Sequence, residues 1–283
     1  MVTLMPTVMS LGASRWHVAC RDALEAARVF KDESLDLVIL DPPYESLEAH
    51  RVNEKTGEAR GRVPRLTTWF PTVGTRYIAE TLWELGRALK RGSHAYVFCD
   101  ATTERALIKE ALMRRAGRPG LKAQAEIVAE AFLTFGGRER DDVFIGDLVL
   151  RHSLVWVKAK ADGTPSAGMG YHYRRAHERI LWFEKWPRRS PQSRDVPDVL
   201  TFQAPKRPVG GGYPTQKPVD LLRLLVRQSS HPGDVVADVF AGSFSTGVAA
   251  LAEGRRFIGY DVSLDACRVG ISRLQRCVDR LTP

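Results

Sequence analysis

Short apolar segments alternate with segments of helical periodicity along most of this chain. Residues 16–20 (WHVAC) and 35–40 (LDLVIL) have the composition of strands, and the amphipathic residues 22–30 lie between them. The same alternation returns over residues 214–281. Because a strand, a helix and a second strand form a parallel crossover unit, this pattern predicts an α/β fold of three layers around a mostly parallel sheet.

The middle of the chain departs from this order. Residues 76–92 have helical periodicity, and we expect Gly92 to end the helix. Residues 147–159 and 178–186 follow as two strand-like segments separated by a polar stretch. Two such strands predict an antiparallel pair at the edge of the sheet.

Two polar segments, residues 45–75 and 185–212, interrupt the pattern. Both are rich in charge, glycine and proline, which predicts excursions from the core of a single domain spanning residues 1–283. The chain carries a net charge of +9. That excess favours a polyanionic partner such as nucleic acid, and solubility alone is the alternative.

The cysteines and the apolar segments exclude several classes of protein. None of the four cysteines forms a Cys-x-x-Cys pair, so we expect reduced thiols, no disulfide framework and no metal site. The chain has neither the basic flank of a signal peptide nor an apolar run long enough to cross a membrane. We therefore expect a cytoplasmic protein with no membrane partner. The cysteines are Cys20, Cys99, Cys267 and Cys277.

The predicted strand 35–40 runs into Asp41-Pro42-Pro43-Tyr44. The two prolines restrict the backbone and remove two amide donors, so the Asp41 carboxylate and the Pro42 carbonyl offer acceptors with no competing donor beside them. Tyr44 adds a ring face on which a planar base could stack. The motif suits an exocyclic NH₂ group on an unstacked nucleobase, and a proline-rich turn after a strand is the alternative.

A second motif, DVFAGSFSTG at residues 238–247, joins a predicted strand to a helix. Gly242 allows a ligand to approach the backbone closely, although a tight strand-to-helix turn is the structural alternative. Asp261 ends the next strand 19 positions later, where a carboxylate can accept the hydroxyls of a ribose. The segment does not satisfy G-x-G-x-x-G, so a nucleoside cofactor without a pyrophosphate fits better than a nicotinamide dinucleotide.

Three segments in this order resemble the DNA amino-methyltransferases of the β class: the motif at 41–44, YPTQKPVDLL at 213–222 and DVFAGSFSTG at 238–247. The resemblance implies a Rossmann-like methyltransferase fold with a circularly permuted motif order, in which the catalytic motif precedes the cofactor motif. It covers most of the chain. Further segments that look like the family are residues 34–44, 85–98, 153–159 and 174–185.

The resemblance implies S-adenosylmethionine as the cofactor. Asp261 is then expected to hold the ribose, and Asp22 is expected to meet the adenine amino group, with a helix cap as the alternative for Asp22. The cofactor-binding candidates are Asp22, Asp41, Thr215, Lys217, Asp238, Phe240, Ala241, Gly242, Ser243, Phe244, Ser245, Thr246 and Asp261.

Double-stranded DNA is the substrate that the resemblance implies, and basic residues of the two polar segments are the candidates for contacting it. A solvated loop is the alternative for residues 185–212. A homodimer and a cognate restriction endonuclease are further candidate partners. The DNA-binding candidates are Arg51, Arg62, Lys185, Arg188, Arg189, Arg194, Lys206 and Arg207.

The expected reaction is direct methyl transfer from S-adenosylmethionine to the exocyclic amine of a flipped base. Asp41 favours adenine as the target base. Family members that methylate adenine usually carry Asp at this position, and those that methylate cytosine more often carry Ser. We therefore predict N6-methyladenine as the product. The alternatives are N4-cytosine methylation, an RNA or protein-glutamine methyltransferase, and an inactive DNA-binding module.

Overall fold

The computed structural model describes residues 14–44, 72–116, 143–167, 173–205 and 216–281. Nine strands and six helices form within these ranges. The strands are β1 (Trp16–Cys20), β2 (Leu35–Leu40), β3 (Leu89–Cys99), β4 (Val143–Ile145), β5 (Leu148–Ala159), β6 (His177–Lys185), β7 (Val199–Gln203), β8 (Val235–Asp238) and β9 (Arg256–Asp261). The helices are α1 (Ala23–Val29), α2 (Thr75–Ala88), α3 (Ala101–Ala116), α4 (Val219–Ser229), α5 (Ser245–Ala252) and α6 (Leu264–Leu281).

All nine strands join one sheet in the order β1-β9-β8-β2-β3-β6-β5-β4, with β7 beside β5. The first five of these strands are parallel to one another, which confirms the mostly parallel sheet. The predicted antiparallel pair is present as β5 and β6. However, β6 also pairs with β3, so this pair continues the sheet inward from its edge.

Strand β2 lies at the centre of the core, and all six of its residues are buried. From Leu37 to Leu40 its side chains alternate between two apolar clusters, as the two-residue period of a strand requires. Val38 and Leu40 pack in the cluster that contains residues of α1, α2 and α3. Leu37 and Ile39 pack in the cluster that contains residues of α4, α5 and α6. The helices therefore cover both faces of the sheet, and the three-layer α/β fold is confirmed.

Two expectations about element boundaries were wrong. Helix α2 ends at Ala88, and Gly92 lies inside β3, where the register with β2 shifts and the glycine adopts a φ of +76°. A bulge of this kind favours glycine because a side chain is strained at positive φ. Residues 199–203, which we placed in an excursion, form β7 and pair in parallel with β5.

Within the predicted excursions, residues 45–71 and 206–212 lie outside the described residues. Among the described residues, no helix has the length and apolarity that spanning a membrane would require.

Candidate active site

The carboxyl ends of β1, β2, β8 and β9 meet at one edge of the sheet and border a cavity of about 210 Å³. Both predicted motifs line it, although they lie far apart in the sequence. The predicted site residues that line the cavity are Asp22, Asp41, Pro42, Pro43, Tyr44, Lys217, Asp238, Phe240, Ala241, Gly242, Ser243, Ser245, Thr246 and Asp261. Ligands bind in such a crevice in open α/β sheets.

The turn after β8 is held to the end of β9 through a carboxylate. Gly242, with a φ of +49°, donates its backbone N–H to Oδ2 of Asp261 at 2.8 Å. Ser263 donates its backbone N–H to Oδ1 of the same residue at 2.9 Å. Burial raises the pKa of Asp261 above its ordinary value, while these two N–H groups act in the opposite direction. The carboxylate is thus fixed in orientation where it borders the cavity.

Asp238, the last residue of β8, is a buried carboxylate in the same turn. It accepts hydrogen bonds from the Thr246 hydroxyl at 2.7 Å and from the Phe240 N–H at 2.9 Å. Burial nevertheless raises the pKa of Asp238 to about 7. A group with this pKa changes its charge near neutral pH, so the charge of the cavity depends on pH.

Phe244 was predicted to bind the cofactor, and its position contradicts that prediction. Its side chain is fully buried and does not line the cavity. The ring instead occupies space beside Gly259 of β9 and Gly270 of α6, where an added Cβ atom would overlap it. Phe244 has a φ of +60° at the start of α5. Its role is therefore to fill the core behind the loop.

Arg273 of α6 supports the loop from behind and was missed in the sequence. Its buried guanidinium donates to the Ser243 carbonyl and, at 3.2 Å, to the Ser245 hydroxyl. Burial lowers the pKa of Arg273 to about 10. An arginine beside Gly270 and Leu274 on the buried side of an amphipathic helix is the signal that could have identified it.

Asp22 is both a helix cap and a residue of the cavity. Its Oδ1 accepts the N–H groups of Leu24 and Glu25 at 3.0 and 3.1 Å, as an N-cap residue does. Its Oδ2 accepts the hydroxyl proton of Tyr77 at 2.6 Å. Tyr77 also lines the cavity, and its ring meets Phe240 edge-on with 6.5 Å between the centroids. No pattern in the sequence distinguished Tyr77 from other residues of α2.

Asp41 forms an ion pair with a lysine from the other half of the chain. The ammonium of Lys217 lies 2.5 Å from Oδ2 of Asp41 and 3.4 Å from Oε2 of Glu178. Lys158 binds the other oxygen of Glu178 at 2.5 Å. Burial raises the pKa of Asp41 above its ordinary value, the Lys217 charge opposes this effect, and the Glu178 charge adds to it. Glu178 and Lys158 were missed in the sequence, although charged residues inside strands β6 and β5 are a signal.

The two residues after Pro42 are held by the chain that precedes α2. Val73 donates its backbone N–H to the Pro43 carbonyl at 2.8 Å and forms a parallel bridge with Tyr44. Tyr44 is 9% exposed and packs in the core cluster while lining the cavity. The ring is thus largely enclosed by the protein and borders the cavity.

The candidate DNA-binding residues within the described ranges divide into two groups. Lys185 is buried and donates to the carbonyls of Arg87 and Leu89 at 3.2 and 2.8 Å, so we remove it from the DNA-contacting set. Arg189 is half-buried, and its guanidinium donates to the Ser229 carbonyl at 2.7 Å, which makes it a structural residue as well. The exposed candidates are Arg188 and Arg194. The candidates outside the described residues are Arg51, Arg62, Lys206, Arg207 and, for the cofactor, Thr215.

Known DNA methyltransferases resemble this chain in sequence and in fold. "DNA adenine methyltransferase YhdJ" of Escherichia coli K12 is 26% identical over 265 residues, which span 89% of this chain and 80% of that protein. The M1.HpyAVI–SAM complex has a TM-score of 0.56 at 17% identity, covering 92% of this chain and 98% of the other. The cytosine-N4-specific PvuII DNA methyltransferase has a TM-score of 0.58 at 16% identity, covering 94% and 91%.

The family model described as DNA methylase (N6_N4_Mtase) matches residues 35–272, which include both the catalytic motif and the turn after β8. The match covers all strands from β2 to β9, and the two motifs that it contains meet in the cavity. This chain belongs to the N6/N4 DNA methylase family, the S-adenosylmethionine-dependent DNA methyltransferases.

Proposed function

We propose that this protein transfers a methyl group to the exocyclic N6 amine of a flipped adenine in double-stranded DNA. The observation that carries the proposal is the position of Asp41, whose carboxylate borders the cavity shared with the glycine turn after β8. Among family members, an Asp at this position is usual for adenine. The adenine-specific name of the relative YhdJ supports the same choice.

N4-cytosine methylation is the second candidate, because adenine N6 and cytosine N4 are both NH₂ groups conjugated with a ring. The fold does not separate the two, since the cytosine-N4-specific PvuII enzyme has a similar fold. The acceptors at Asp41 and Pro42 suit either amine. The identity of the first motif residue is what favours adenine.

The cavity fits S-adenosylmethionine in charge and in donor groups. Five carboxylates line it, against one ammonium, that of Lys217, so a cofactor with a positive sulfonium is favoured there. Asp261 has free lone pairs for the ribose hydroxyls, and Asp22 lies where an adenine amine could donate to it. The cofactor supplies a methyl group on sulfur that an amine can accept directly. The five carboxylates belong to Asp22, Asp41, Glu178, Asp238 and Asp261.

Asp41 and the Pro42 carbonyl would act on the target amine itself. Accepting hydrogen bonds from the two N–H groups favours a tetrahedral nitrogen, whose lone pair is freed from conjugation with the ring and can attack the methyl carbon. The nitrogen then loses a proton, which the Asp41 carboxylate accepts. Tyr44 would stack on the base, a contribution of about 1–3 kcal/mol. No covalent bond between protein and base is needed.

Mass analysis of nucleosides tests the proposal. Unmethylated DNA is incubated with the protein and S-adenosylmethionine, digested and examined for modified bases. We expect N6-methyladenine with the wild-type protein and none with Asp41→Ala, while calorimetry shows that Asp41→Ala still binds the cofactor. N4-methylcytosine as the only product would overturn the choice of base and leave the family assignment in place.

Three features stay predictions: sequence-specific DNA contacts, a homodimer and a cognate restriction endonuclease. The two exposed candidates Arg188 and Arg194 support a DNA-facing role for the segment between β6 and β7. Modified-base sequencing of DNA from a host that expresses the protein would identify the methylated site.

A further inference from the structure

We infer that Lys217 and Glu178 are positioning residues for Asp41: Lys217 holds one carboxylate oxygen of Asp41, and Glu178 holds Lys217. The other oxygen of Asp41 is thereby left toward the target amine. This inference rests on the proposed methylation of an amine at Asp41, and it assigns two residues that the catalytic motif does not contain.

The two oxygens of Asp41 differ in their surroundings. Oδ2 pairs with the Lys217 ammonium at 2.5 Å, whereas no described residue hydrogen-bonds to Oδ1. The side chain of Asp41 is 29% exposed, and the residue lines the cavity. An amine entering the cavity therefore meets an oxygen that has no partner among the described residues, on a carboxylate that cannot rotate without breaking an ion pair.

Glu178 also lines the cavity, but both of its oxygens are occupied. Oε1 binds Lys158 at 2.5 Å, and Oε2 lies 3.4 Å from Lys217. Glu178 of β6 pairs with Trp156 of β5. Lys158 lies two residues after Trp156 in β5, which brings its ammonium within reach of the Glu178 carboxylate. Although both acids line one cavity, this asymmetry leaves Asp41 as the acceptor for the amine and Glu178 as its support.

The Lys217 ammonium is held from a third direction as well. It lies 5.2 Å from the centroid of the Phe98 ring, within the range of a cation–π contact. Burial alone would lower the pKa of Lys217, but the Asp41 and Glu178 charges outweigh burial and raise it to about 12. Lys217 therefore stays charged throughout the working pH range and can act as a fixed counter-ion.

The charges around Asp41 act on its ionisation in opposite directions. Lys217 and, more weakly, Lys158 lower the pKa of Asp41, whereas Glu178 raises it. Asp238 and Tyr44 also face Asp41 electrostatically, and neither is changed in the test below. Because only ionised Asp41 accepts hydrogen bonds at both oxygens, activity should be lost as the pH falls through the pKa of Asp41.

The test compares Glu178→Gln with Lys217→Met in the full chain. We expect Glu178→Gln to move the acidic limb of the kcat profile to lower pH, and Lys217→Met to move it to higher pH. Each variant should lose about 10–100-fold in kcat, the range for a charged hydrogen bond. Lys217→Arg should recover part of the loss. Glu33→Gln and Lys109→Met, both on the exposed surface, serve as matched controls.

A second measurement does not depend on methyl transfer. The carboxyl ¹³C signal of Asp41, assigned with Asp41→Asn, is titrated in cofactor-free protein, and we expect opposite shifts of its pKa in the two variants. Shifts in the same direction, or wild-type kcat in Glu178→Gln, would overturn the inference. If the wild-type protein methylates no amine while the two titrations diverge as expected, the proposed function fails and the control of Asp41 by its neighbours stands.

Discussion

The hydroxyl of Tyr77 donates a 2.6 Å hydrogen bond to Oδ2 of Asp22, across 55 positions of sequence. The same hydroxyl accepts the Leu24 N–H at 3.0 Å, so the first turn of α2 is tied to the first turn of α1. The Tyr77 hydroxyl thereby fixes the carboxylate that is proposed to meet the adenine of the cofactor. Because this link depends on one oxygen atom, it can be removed without changing the shape of the ring.

Tyr77→Phe should weaken cofactor binding about 5–10-fold, corresponding to the loss of one hydrogen bond of about 1 kcal/mol. The affinity falls because Asp22 loses the donor that orients its second oxygen. Calorimetry with S-adenosylmethionine measures the change. Tyr173→Phe is the control, since Tyr173 is 96% exposed. Equal affinity in wild type and Tyr77→Phe would show that Asp22 is oriented without Tyr77.

Asp238→Asn should flatten the pH dependence of the free energy of unfolding. The pKa of Asp238 is raised from 3.8 to about 7 in the folded protein, so the folded state holds a proton that the unfolded state has lost in this window. The contribution of Asp238 is most favourable below about pH 4 and is lost as the pH rises toward 7.

Urea unfolding near pH 5 and near pH 8 measures this effect. Relative to Asp238→Asn, the wild type should lose about 3 kcal/mol between these two pH values. The asparagine keeps the size of the side chain and can still accept the Phe240 N–H. Asp265→Asn, on an exposed residue of α6, is the control. A stability difference that is the same at both pH values would contradict the raised pKa.

The double variant Arg188→Glu with Arg194→Glu should weaken DNA binding and flatten its dependence on salt. Both side chains are exposed in the segment between β6 and β7, and removing one phosphate-binding cation lowers the salt slope by about one unit. Binding is measured over a range of salt concentrations. Arg268→Glu with Arg276→Glu changes the net charge equally on exposed positions of α6. If this control reduces the slope as much, only net charge matters and the segment is a solvated loop.

Gly270→Ala should destabilise the protein by about 1–3 kcal/mol, although alanine is normally the better helix former. The added Cβ would overlap the ring of Phe244, which fills the core between Gly270 and Gly259. Thermal unfolding of Gly270→Ala and of Ser272→Ala, an exposed position on the same helix, measures the effect. Adding Phe244→Leu should cost less in the Gly270→Ala background than in the wild type, because the smaller side chain relieves the overlap. Strictly additive changes would show that the two residues do not touch.

Local patterns in the sequence were sufficient to predict most of the layers. The two-residue period shows which face of a strand is apolar, so β1 and β2 were predicted at their observed bounds. The motifs at 41–44 and 238–247 could be identified because their chemistry lies in consecutive residues.

Tertiary packing decided which side chains reach the cavity. Lys217 and Asp41 are 176 positions apart, and nothing local to either residue indicates that they pair. Phe244 belongs to the cofactor motif by position, yet it points into the core because two glycines leave space for its ring there. Lys185 looks like a surface cation, yet it ends β6 with its ammonium bound to backbone carbonyls. Periodicity shows how a side chain faces its own element, whereas its partners are set by the distant segments that the fold brings against it.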